Sequence, residues 1–354
     1  MDLFFISLSL LLILISLLPF IKHTHWVFRA SEFVSLQVFV LQIIASFGIF
    51  IFAERTTLFW VVALVQFAFL IYHIYIFSRF TKFFKTKNRE SENRQSIQVI
   101  SSNIYQFNKE FDRFKRFIRK EDPDLFITIE SNKDWEKAMR ELEEYYPHSE
   151  KITLENTYGM HLYSKIPFEE ITTHYFVADD VPSIEAHIKT EDGEDLILFI
   201  VHPPPPSPTE EENSKERDGD LMCIAKRIQE LDKPVLVIGD FNTVAWSKIS
   251  NYFRKKSALI DGRHGRGILA SFHAKYWLLR APLDLVYHSP SIFLKELKVL
   301  ENIGSDHFPI FCEFYLDKQD NSQNDEKESI SNEENIETEE IIEEGKKEES
   351  SNRN

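Results

Sequence analysis

The chain has 354 residues, a formal charge of −15 and three zones of different composition. Residues 1–78 are almost wholly apolar, residues 96–316 have the mixed composition of a globular domain, and residues 317–354 carry 14 Asp and Glu against 5 Lys and Arg. The acidic balance argues against wrapping of duplex nucleic acid by phosphate neutralisation alone, and two cysteines, Cys223 and Cys312, are too few for a disulfide framework or a zinc site.

Three apolar runs open the chain, namely Leu3–Ile21, Val34–Ala53 and Leu58–Phe77. A helix of about 20 residues crosses roughly 30 Å of hydrocarbon, so each run is long enough to span a bilayer. A signal peptide does not explain the first run, because the chain starts Met1-Asp2 without a basic segment and Pro19–Lys22 offers no small-residue cleavage site. We therefore predict an integral membrane protein with three transmembrane helices within residues 1–78.

Basic residues next to the spans predict the orientation. The side that carries the globular domain has seven of them, and the opposite side has only Arg55; the seven are Lys22, Arg29, Arg79, Lys82, Lys85, Lys87 and Arg89. By the positive-inside rule the domain is expected on the cytoplasmic face. The basic linker, residues 79–95, also lies where anionic lipid head groups would attract it.

Short apolar runs alternate with amphipathic segments from Ser96 to Leu316. Predicted strands include Ile97–Asn103, Asp124–Glu130, Pro234–Asn242 and a hairpin from Ile184 to His202, and predicted helices lie between them. This alternation indicates an α/β sandwich of two sheets with helices on the outer faces. Residues 317–354 are predicted to be a disordered acidic tail, because like charges with almost no aromatic residues cannot bury enough surface to fold.

Polar residues repeatedly stand where an apolar strand ends. Taken singly, each is more often a cap or turn residue. Together they comprise four carboxylates, two amides and two histidines, a set that suits metal-assisted phosphate chemistry at a rim of strand ends: Glu130, Asp240, Asp284, Asp306, Asn103, Asn242, His202 and His307.

Two motifs carry a resemblance to a known family. Gly239–Asn242 reads G-D-F-N and Gly304–Pro309 reads G-S-D-H-F-P, and shorter matches around Asn103, Glu130, His202 and Asp284 follow in the expected order. From about Gln98 to Leu316 the chain resembles the endonuclease/exonuclease/phosphatase (DNase I-like) superfamily. It looks most like the bacterial branch in which three spans precede the domain. The resemblance implies the fold of a four-layer α/β/β/α sandwich and the activity of a metal-dependent phosphoric ester hydrolase. It also implies a location in the bacterial cell membrane.

The resemblance and the chemistry together suggest a metal site. Mg²⁺ prefers oxygen ligands, usually a few carboxylates with several waters retained. Glu130 is the predicted ligand, with Asn103 and Asp306 close by, and Mn²⁺ is the alternative ion.

The other residues receive catalytic roles from the same resemblance. Asp240 is expected to orient or deprotonate the attacking water, and Asn242 to hold a phosphate oxygen. His202 and His307 are expected to donate hydrogen bonds to the charge that develops on phosphorus. Asp284 is expected to fix the tautomer and orientation of His307.

Some positions depart from the family pattern or fall outside it. Ile129 stands where Gln is common, and Ser271-Phe272 stands where the membrane-anchored branch usually has Thr-Trp. Arg263, Arg266 and Arg280 are candidates to grip a substrate phosphate, although a solvated-face role fits each of them equally well.

Three functions remain open at this point. The first is hydrolysis of a phosphate ester or pyrophosphate of a lipid or other membrane-proximal substrate, since the spans would hold the site near the head groups. A membrane-tethered endonuclease or exonuclease would need a basic groove or aromatic surface beside the site. A non-catalytic scaffold is disfavoured by the intact motif set.

Overall fold

The computed structural model describes residues 2–84 and 94–348. Its N-terminal part consists of four helices, α1 (Asp2–Leu17), α2 (Trp26–Phe33), α3 (Ser35–Phe52) and α4 (Thr57–Ser78). The helical segments Asp2–Phe20, α3 and α4 have mean hydropathies of 2.7, 2.1 and 2.0, and each is long and apolar enough to cross a membrane. The three predicted runs thus correspond to three helices. Part of the predicted basic linker, residues 85–93, lies outside the described residues.

Helix α2 lies between the first two predicted apolar runs, where no helix was predicted. Its backbone is tied to the globular domain: the Trp26 amide donates to the Glu212 carbonyl at 3.0 Å, and the Ser214 amide donates to the Thr24 carbonyl at 2.8 Å. Ser31 and Glu32 are buried. This stretch is less apolar than the neighbouring helices, and its helix packs on the globular domain.

The globular domain contains two six-stranded mixed sheets. The strands are β1 (Ile97–Asn103), β2 (Leu125–Ile129), β3 (His148–Ile152), β4 (Met160–Ser164), β5 (Phe168–His174), β6 (Ser183–Lys189), β7 (Asp195–Val201), β8 (Val235–Asp240), β9 (Ile260–Asp261), β10 (Asp284–His288), β11 (Ile292–Val299) and β12 (Ile310–Leu316). The first sheet has the order β11-β12-β1-β2-β4-β3, and the second has the order β5-β6-β7-β8-β10-β9. In each sheet one central pair is parallel, β1 with β2 and β7 with β8.

Helices cover the outer face of each sheet, while the inner faces pack on each other through a core of aliphatic side chains such as Val99, Ile127, Leu198 and Leu236. Helices α5 (Phe111–Glu121) and α6 (Lys133–Met139) lie on the first sheet, and α7 (Lys215–Gln229) and α8 (Lys248–Ser257) lie on the second. The predicted four-layer α/β/β/α sandwich is confirmed.

Residues 317–348, the described part of the acidic tail, are largely ordered, so the predicted disorder is wrong for this part. A ninth helix, α9 (Asn332–Lys347), begins with a capping box in which Ser331 and Glu334 satisfy each other's backbone amides. Helix α9 lies against α7, where Gly345 and Gly219 let the two backbones meet: a Cβ atom on Gly345 would stand 2.8 Å from the Gly219 Cα. Ile342 joins the apolar cluster beneath.

The tail folds because the helices below it supply opposite charge. Lys226 and Lys256 pair with Glu339, Lys248 pairs with Glu337, and Lys255 pairs with Glu334, at N–O distances of 2.5–2.9 Å. Lys256 is almost fully buried and also donates to Asn335 and Thr338. Composition within residues 317–354 alone could not reveal these partners, because they lie about 80–110 positions earlier in the chain.

Candidate active site

The site lies where the central parallel strands of both sheets end. The antiparallel strands β10 and β12 begin at the same edge, so residues from six segments converge there. All eight polar residues singled out in the sequence lie at this edge: Asn103, Glu130, His202, Asp240, Asn242, Asp284, Asp306 and His307. Asp284 and Asp240 face each other as register partners on β10 and β8.

Asn103 links the two sheets. Its side-chain Nδ2 donates to Glu130 Oε1 at 2.9 Å and to Asp240 Oδ2 at 3.1 Å. Its Oδ1 accepts the Tyr105 backbone amide at 3.0 Å. As oriented, Asn103 positions the two carboxylates, and the predicted role of its oxygen as a metal ligand requires the amide to turn.

His307 is held between two carboxylates. Its Nδ1 donates to Asp284 Oδ2 at 2.8 Å, and its Nε2 lies 3.6 Å from Asp240 Oδ2. Burial by itself lowers the pKa of His307, but the charges of Asp284 and Asp240 outweigh it and raise the pKa to about 10. The ring is therefore an imidazolium over the physiological range. The position of Asp284 is the one expected of the residue that orients His307.

His202 is the second histidine near Asp240. Its Nε2 lies 4.0 Å from Asp240 Oδ2, and the Tyr158 ring packs against the imidazole with centroids 5.6 Å apart. Burial lowers the pKa of His202 to about 4. Its buried Nδ1 has no hydrogen-bond partner within the described part of the chain. The site thus combines a charged and a neutral histidine around one carboxylate, which gives the two rings different chemistry.

A left-handed backbone conformation sets the direction of two side chains at the site. Glu130, directly after β2, has φ 68°, and Asn242, two residues after β8 ends, has φ 49°. Non-glycine residues adopt this left-handed conformation rarely, and such strain clusters at functional sites. Gly239 is required for a separate reason: a Cβ atom there would stand 2.1 Å from the Val201 carbonyl of the parallel neighbour β7.

Asn242 is braced on three sides. Its backbone amide donates to Asp240 Oδ1 at 3.0 Å, its side-chain Nδ2 donates to the Pro203 carbonyl at 2.9 Å, and its own carbonyl accepts from Arg217 at 3.0 Å. Arg217 is buried and also pairs with Asp218. One hydrogen of the Asn242 amide remains for a phosphate oxygen.

The donor set fits a hard divalent cation. Glu130 is half-buried, and loss of solvent around its carboxylate raises its pKa to about 7; the hydrogen bonds from the Gln106 amide and from Asn103 only partly oppose this. The charge of half-buried Asp306 is close enough to raise the pKa of Glu130 further. A cation beside Glu130 and Asp306 would supply the positive charge that keeps these carboxylates ionised.

Potential ligand atoms of Asp240, Asp284 and His307 also lie within 4.8 Å of one another, so their geometry would allow these three residues to hold a metal ion. We assign them as a hydrogen-bonded unit instead. The reason is that His307 Nδ1 donates to Asp284 at 2.8 Å, while its Nε2 faces Asp240 at 3.6 Å.

Arg263 and Arg266, predicted as candidates to grip a substrate phosphate, form contacts within the fold. Arg263 is buried and forms a two-pronged ion pair with Asp261, with N–O distances of 3.0 and 2.8 Å. Arg266 donates to the carbonyls of Gly262 and Leu294 at 2.9 and 3.1 Å. Both guanidinium groups thus take part in the fold, and a substrate role for either one stays a prediction.

Arg280 differs from the other two arginines. It is half-buried, donates to the Ala274 carbonyl at 3.2 Å and lies 4.8 Å from the centre of the Phe308 ring. Phe308 directly follows His307 in the chain, so a phosphate-binding role for Arg280 stays a prediction.

Two residues at the site carried no clear sequence signal. Gln106 supplies the backbone amide that binds Glu130, and its buried side chain bonds the Glu155 carbonyl and the Thr157 amide. Arg217 lies in a helix with a polar sequence, so its burial beneath Asn242 could not be anticipated. The sequence gives no signal for Gln106, because it binds Glu130 through its backbone amide and every residue except proline has this group.

A cavity of about 590 Å³ lies elsewhere in the molecule. It is lined by ends of the apolar helices, by α2 and by residues of α7, α8 and α9, and its walls include Glu32, Arg217 and Trp246. Because none of the eight rim residues lines it, we place the chemistry at the rim and not in this cavity.

The sandwich and its rim of carboxylates, amides and histidines are typical of enzymes that act on phosphate esters. The chain belongs to the endonuclease/exonuclease/phosphatase family, whose model matches residues 100–307, more than half of its length. Members of this family are phosphoesterases or nucleases and generally depend on a divalent metal. No curated protein matches the chain by sequence.

Solved structures share the fold at low identity. The Danio rerio TDP2 complexed with single-strand DNA product has a TM-score of 0.53 at 16% identity and covers 62% of this chain and 99% of its own. The human Nocturnin catalytic domain with bound sulfate has a TM-score of 0.52 at 16% identity, with 67% and 99% covered. A Bacteroides thetaiotaomicron mannosyl-6-phosphatase has a TM-score of 0.51 at 18% identity, with 62% and 100% covered.

Proposed function

We propose that the protein is a membrane-anchored, Mg²⁺-dependent phosphoesterase that hydrolyses a phosphate ester or pyrophosphate of a membrane lipid. Mn²⁺ is the alternative ion. The catalytic domain is assigned to the cytoplasmic face of a bacterial cell membrane, in line with the distribution of basic residues. The membrane, the lipid and the orientation are parts of the proposal, whereas the family and the fold are established above.

The docking of α2 carries the proposal. This helix lies between two apolar helices, and the Glu32 carbonyl accepts a hydrogen bond of 2.9 Å from the Trp246 side chain. Phe33 packs in one apolar cluster with Val244 and Leu283. Both Val244 and Leu283 are close neighbours of site residues, Asn242 and Asp284. The contacts support a catalytic rim held close to the ends of the spans, where a lipid phosphate has a high effective concentration.

The roles of the rim residues follow from their charges and contacts. Asp240, which the Asn242 and Asn103 amides orient, takes a proton from water as the water oxygen forms a bond to phosphorus. The ester P–O bond breaks, and the proton is returned to the leaving oxygen. The His307 imidazolium, fixed by Asp284, donates to the charge that develops on the phosphoryl oxygens. His202 donates from the other side as a neutral ring.

Glu130, with Asp306 and Asn103 beside it, would hold the metal. When bound, Mg²⁺ neutralises phosphate charge and stabilises the leaving oxygen. The chain's own contribution is to hold the residues around this position in place. Ser305, the residue before Asp306, donates to the Asn103 carbonyl at 2.8 Å and accepts from the His307 amide at 3.1 Å.

The test is hydrolysis by the full-length protein in lipid nanodiscs. Polyprenyl pyrophosphate, sphingomyelin, a phosphoinositide and plasmid DNA are supplied in parallel, with Mg²⁺, with Mn²⁺ and with a chelator. We expect metal-dependent turnover of one of the lipids. Glu130→Gln is the inactive variant, and Glu170→Gln, on the exposed surface of β5, is the matched control.

Each other outcome rejects a part of the proposal. Turnover of plasmid DNA alone would identify a membrane-tethered nuclease. Absence of turnover together with absence of Mg²⁺ binding at millimolar metal would revive the scaffold function. Turnover that survives in Glu130→Gln would remove Glu130 from the metal site.

A further inference from the structure

A short loop between Ser271 and Ala281 exposes four consecutive apolar side chains. Tyr276, Trp277, Leu278 and Leu279 expose 59%, 72%, 60% and 55% of their surface. They form one 3₁₀ turn, and Lys275 before them is also exposed. A run of this kind is unfavourable in water and marks a surface that meets an apolar partner.

The exposed part of the loop is fastened to the first turn of α3. Gln37, the third residue of this apolar helix, donates from its side-chain amide to the Leu278 carbonyl at 2.9 Å and to the Arg280 carbonyl at 3.3 Å. The first turn of a spanning helix lies at the level of the lipid head groups, so the loop lies at that level too. Trp and Tyr are the residues enriched at this depth, and a lysine beside them favours anionic lipids.

The other end of the loop reaches the active site. The Phe272 ring lies 4.8 Å from the His307 ring, and the Ala274 amide donates to the Asp306 carbonyl at 2.6 Å. Phe272 and Ala281 exchange backbone hydrogen bonds that close the loop into a narrow finger. One short segment thus connects the head-group level to the catalytic imidazole and the neighbouring carboxylate.

We propose that residues 275–279 form a membrane-contacting finger that enters the interface of the bilayer holding the spans and sets the mouth of the active site against the lipid head groups. The partner is the lipid surface itself. The inference rests on the membrane anchoring in the proposed function, and it adds which face of the domain meets the bilayer. The substrate then moves from the membrane to the rim along the finger, without passing through water.

A fluorescent label tests the contact without measuring activity. Trp277→Cys and, as a second position, Leu279→Cys are labelled with nitrobenzoxadiazole in the full-length protein; the native Cys223 and Cys312 are buried. The proteins are placed in phosphatidylcholine and phosphatidylglycerol nanodiscs that contain lipids with a doxyl quencher near the head group. Tyr145→Cys, exposed to a similar degree on the globular domain, is the matched control.

We expect quenching at positions 277 and 279 and little at position 145. Quenching at positions 277 and 279 no stronger than at position 145 would overturn the proposal. Because the readout needs no substrate, a protein that hydrolyses no lipid but shows this quenching would keep the finger and reject the lipid phosphoesterase.

Activity then tests the delivery of lipid. For each variant, turnover of vesicle lipid is divided by turnover of a water-soluble phosphodiester, which corrects for damage to the site. We expect this ratio to fall about tenfold in a double variant Trp277→Ser with Leu278→Ser, because interface binding energy is lost. The ratio should stay within about twofold in Tyr145→Ser. An unchanged ratio in the double variant would mean that the finger does not deliver the substrate.

Discussion

Acidic residues occur in two regions of this protein under opposite conditions. At the rim, Asp240 and Asp284 are buried and Glu130 is half-buried, and among residues 2–84 and 94–348 no Lys or Arg forms an ion pair with any of them. Along α9 the glutamates are partly exposed, and Glu334, Glu337 and Glu339 each pair with a lysine.

The difference distinguishes acidic residues with a proposed role in the reaction from acidic residues that stabilise the fold. Burying a carboxylate without a cation is costly, so a cluster of them persists only where something else supplies positive charge. At the rim that charge comes from His307 and from the proposed metal. On α9 the fold itself provides it, and the acids hold two helices together. Net charge is the same sign in both regions and says nothing about which case applies.

The largest expected effect is at the centre of the rim. Asp240→Asn keeps the shape of the side chain but removes the proton acceptor, so we expect turnover to fall about 10²–10⁴-fold. The measurement is initial rate on the substrate found in the nanodisc assay. Asp192→Asn, in the exposed turn between β6 and β7, should keep full activity. A loss below about tenfold in Asp240→Asn would assign the proton transfer to another group.

Metal binding should stabilise the rim specifically. A cation present at about 100 times its Kd stabilises the folded state by about 2.7 kcal/mol, visible as a rise in Tm. We expect this Mg²⁺-dependent rise in the wild type and in Glu170→Gln, and its loss in Glu130→Gln and after chelation. Equal rises in Glu130→Gln and the wild type would show that the cation binds elsewhere.

The helix contact at the tail should tolerate no side chain. Gly345→Leu would push atoms into the backbone of α7, where a Cβ already stands 2.8 Å from the Lys215 carbonyl. Overpacking of this kind costs about 1–3 kcal/mol. Hydrogen exchange of α7 and α9 amides should become faster, while Ile336→Ala, at an exposed position of α9, should change it little. Unchanged protection in Gly345→Leu would mean that α9 does not dock through this contact.

The smallest effect is expected for one exposed ion pair. Lys226→Met removes the 2.7 Å contact with Glu339, and both side chains are about half exposed. Such pairs contribute about 0–1 kcal/mol. The exchange of α9 amides should therefore rise less than in Gly345→Leu. A larger effect than that of Gly345→Leu would show that charge, and not backbone contact, holds the tail.

The sequence by itself determined the three long apolar helices, the sandwich and the rim. Apolar runs of about 20 residues can be recognised without a partner, and β1 occupies the predicted Ile97–Asn103 because strand patterning is local. The rim residues could be found because each stands where an apolar strand stops, and the ordered motifs supported the set. Their roles in the reaction stay predictions.

Only the tertiary structure decided which charged groups form ion pairs within the fold. Arg263 pairs with Asp261 just two residues away, yet only the packed structure shows that the pair is buried. The ordering of α9 depends on lysines of α7 and α8, and the docking of α2 depends on Trp246 and Glu212. Such contacts join segments that are distant in the chain, and neither composition nor periodicity within a segment records which distant partner will neutralise or cover it.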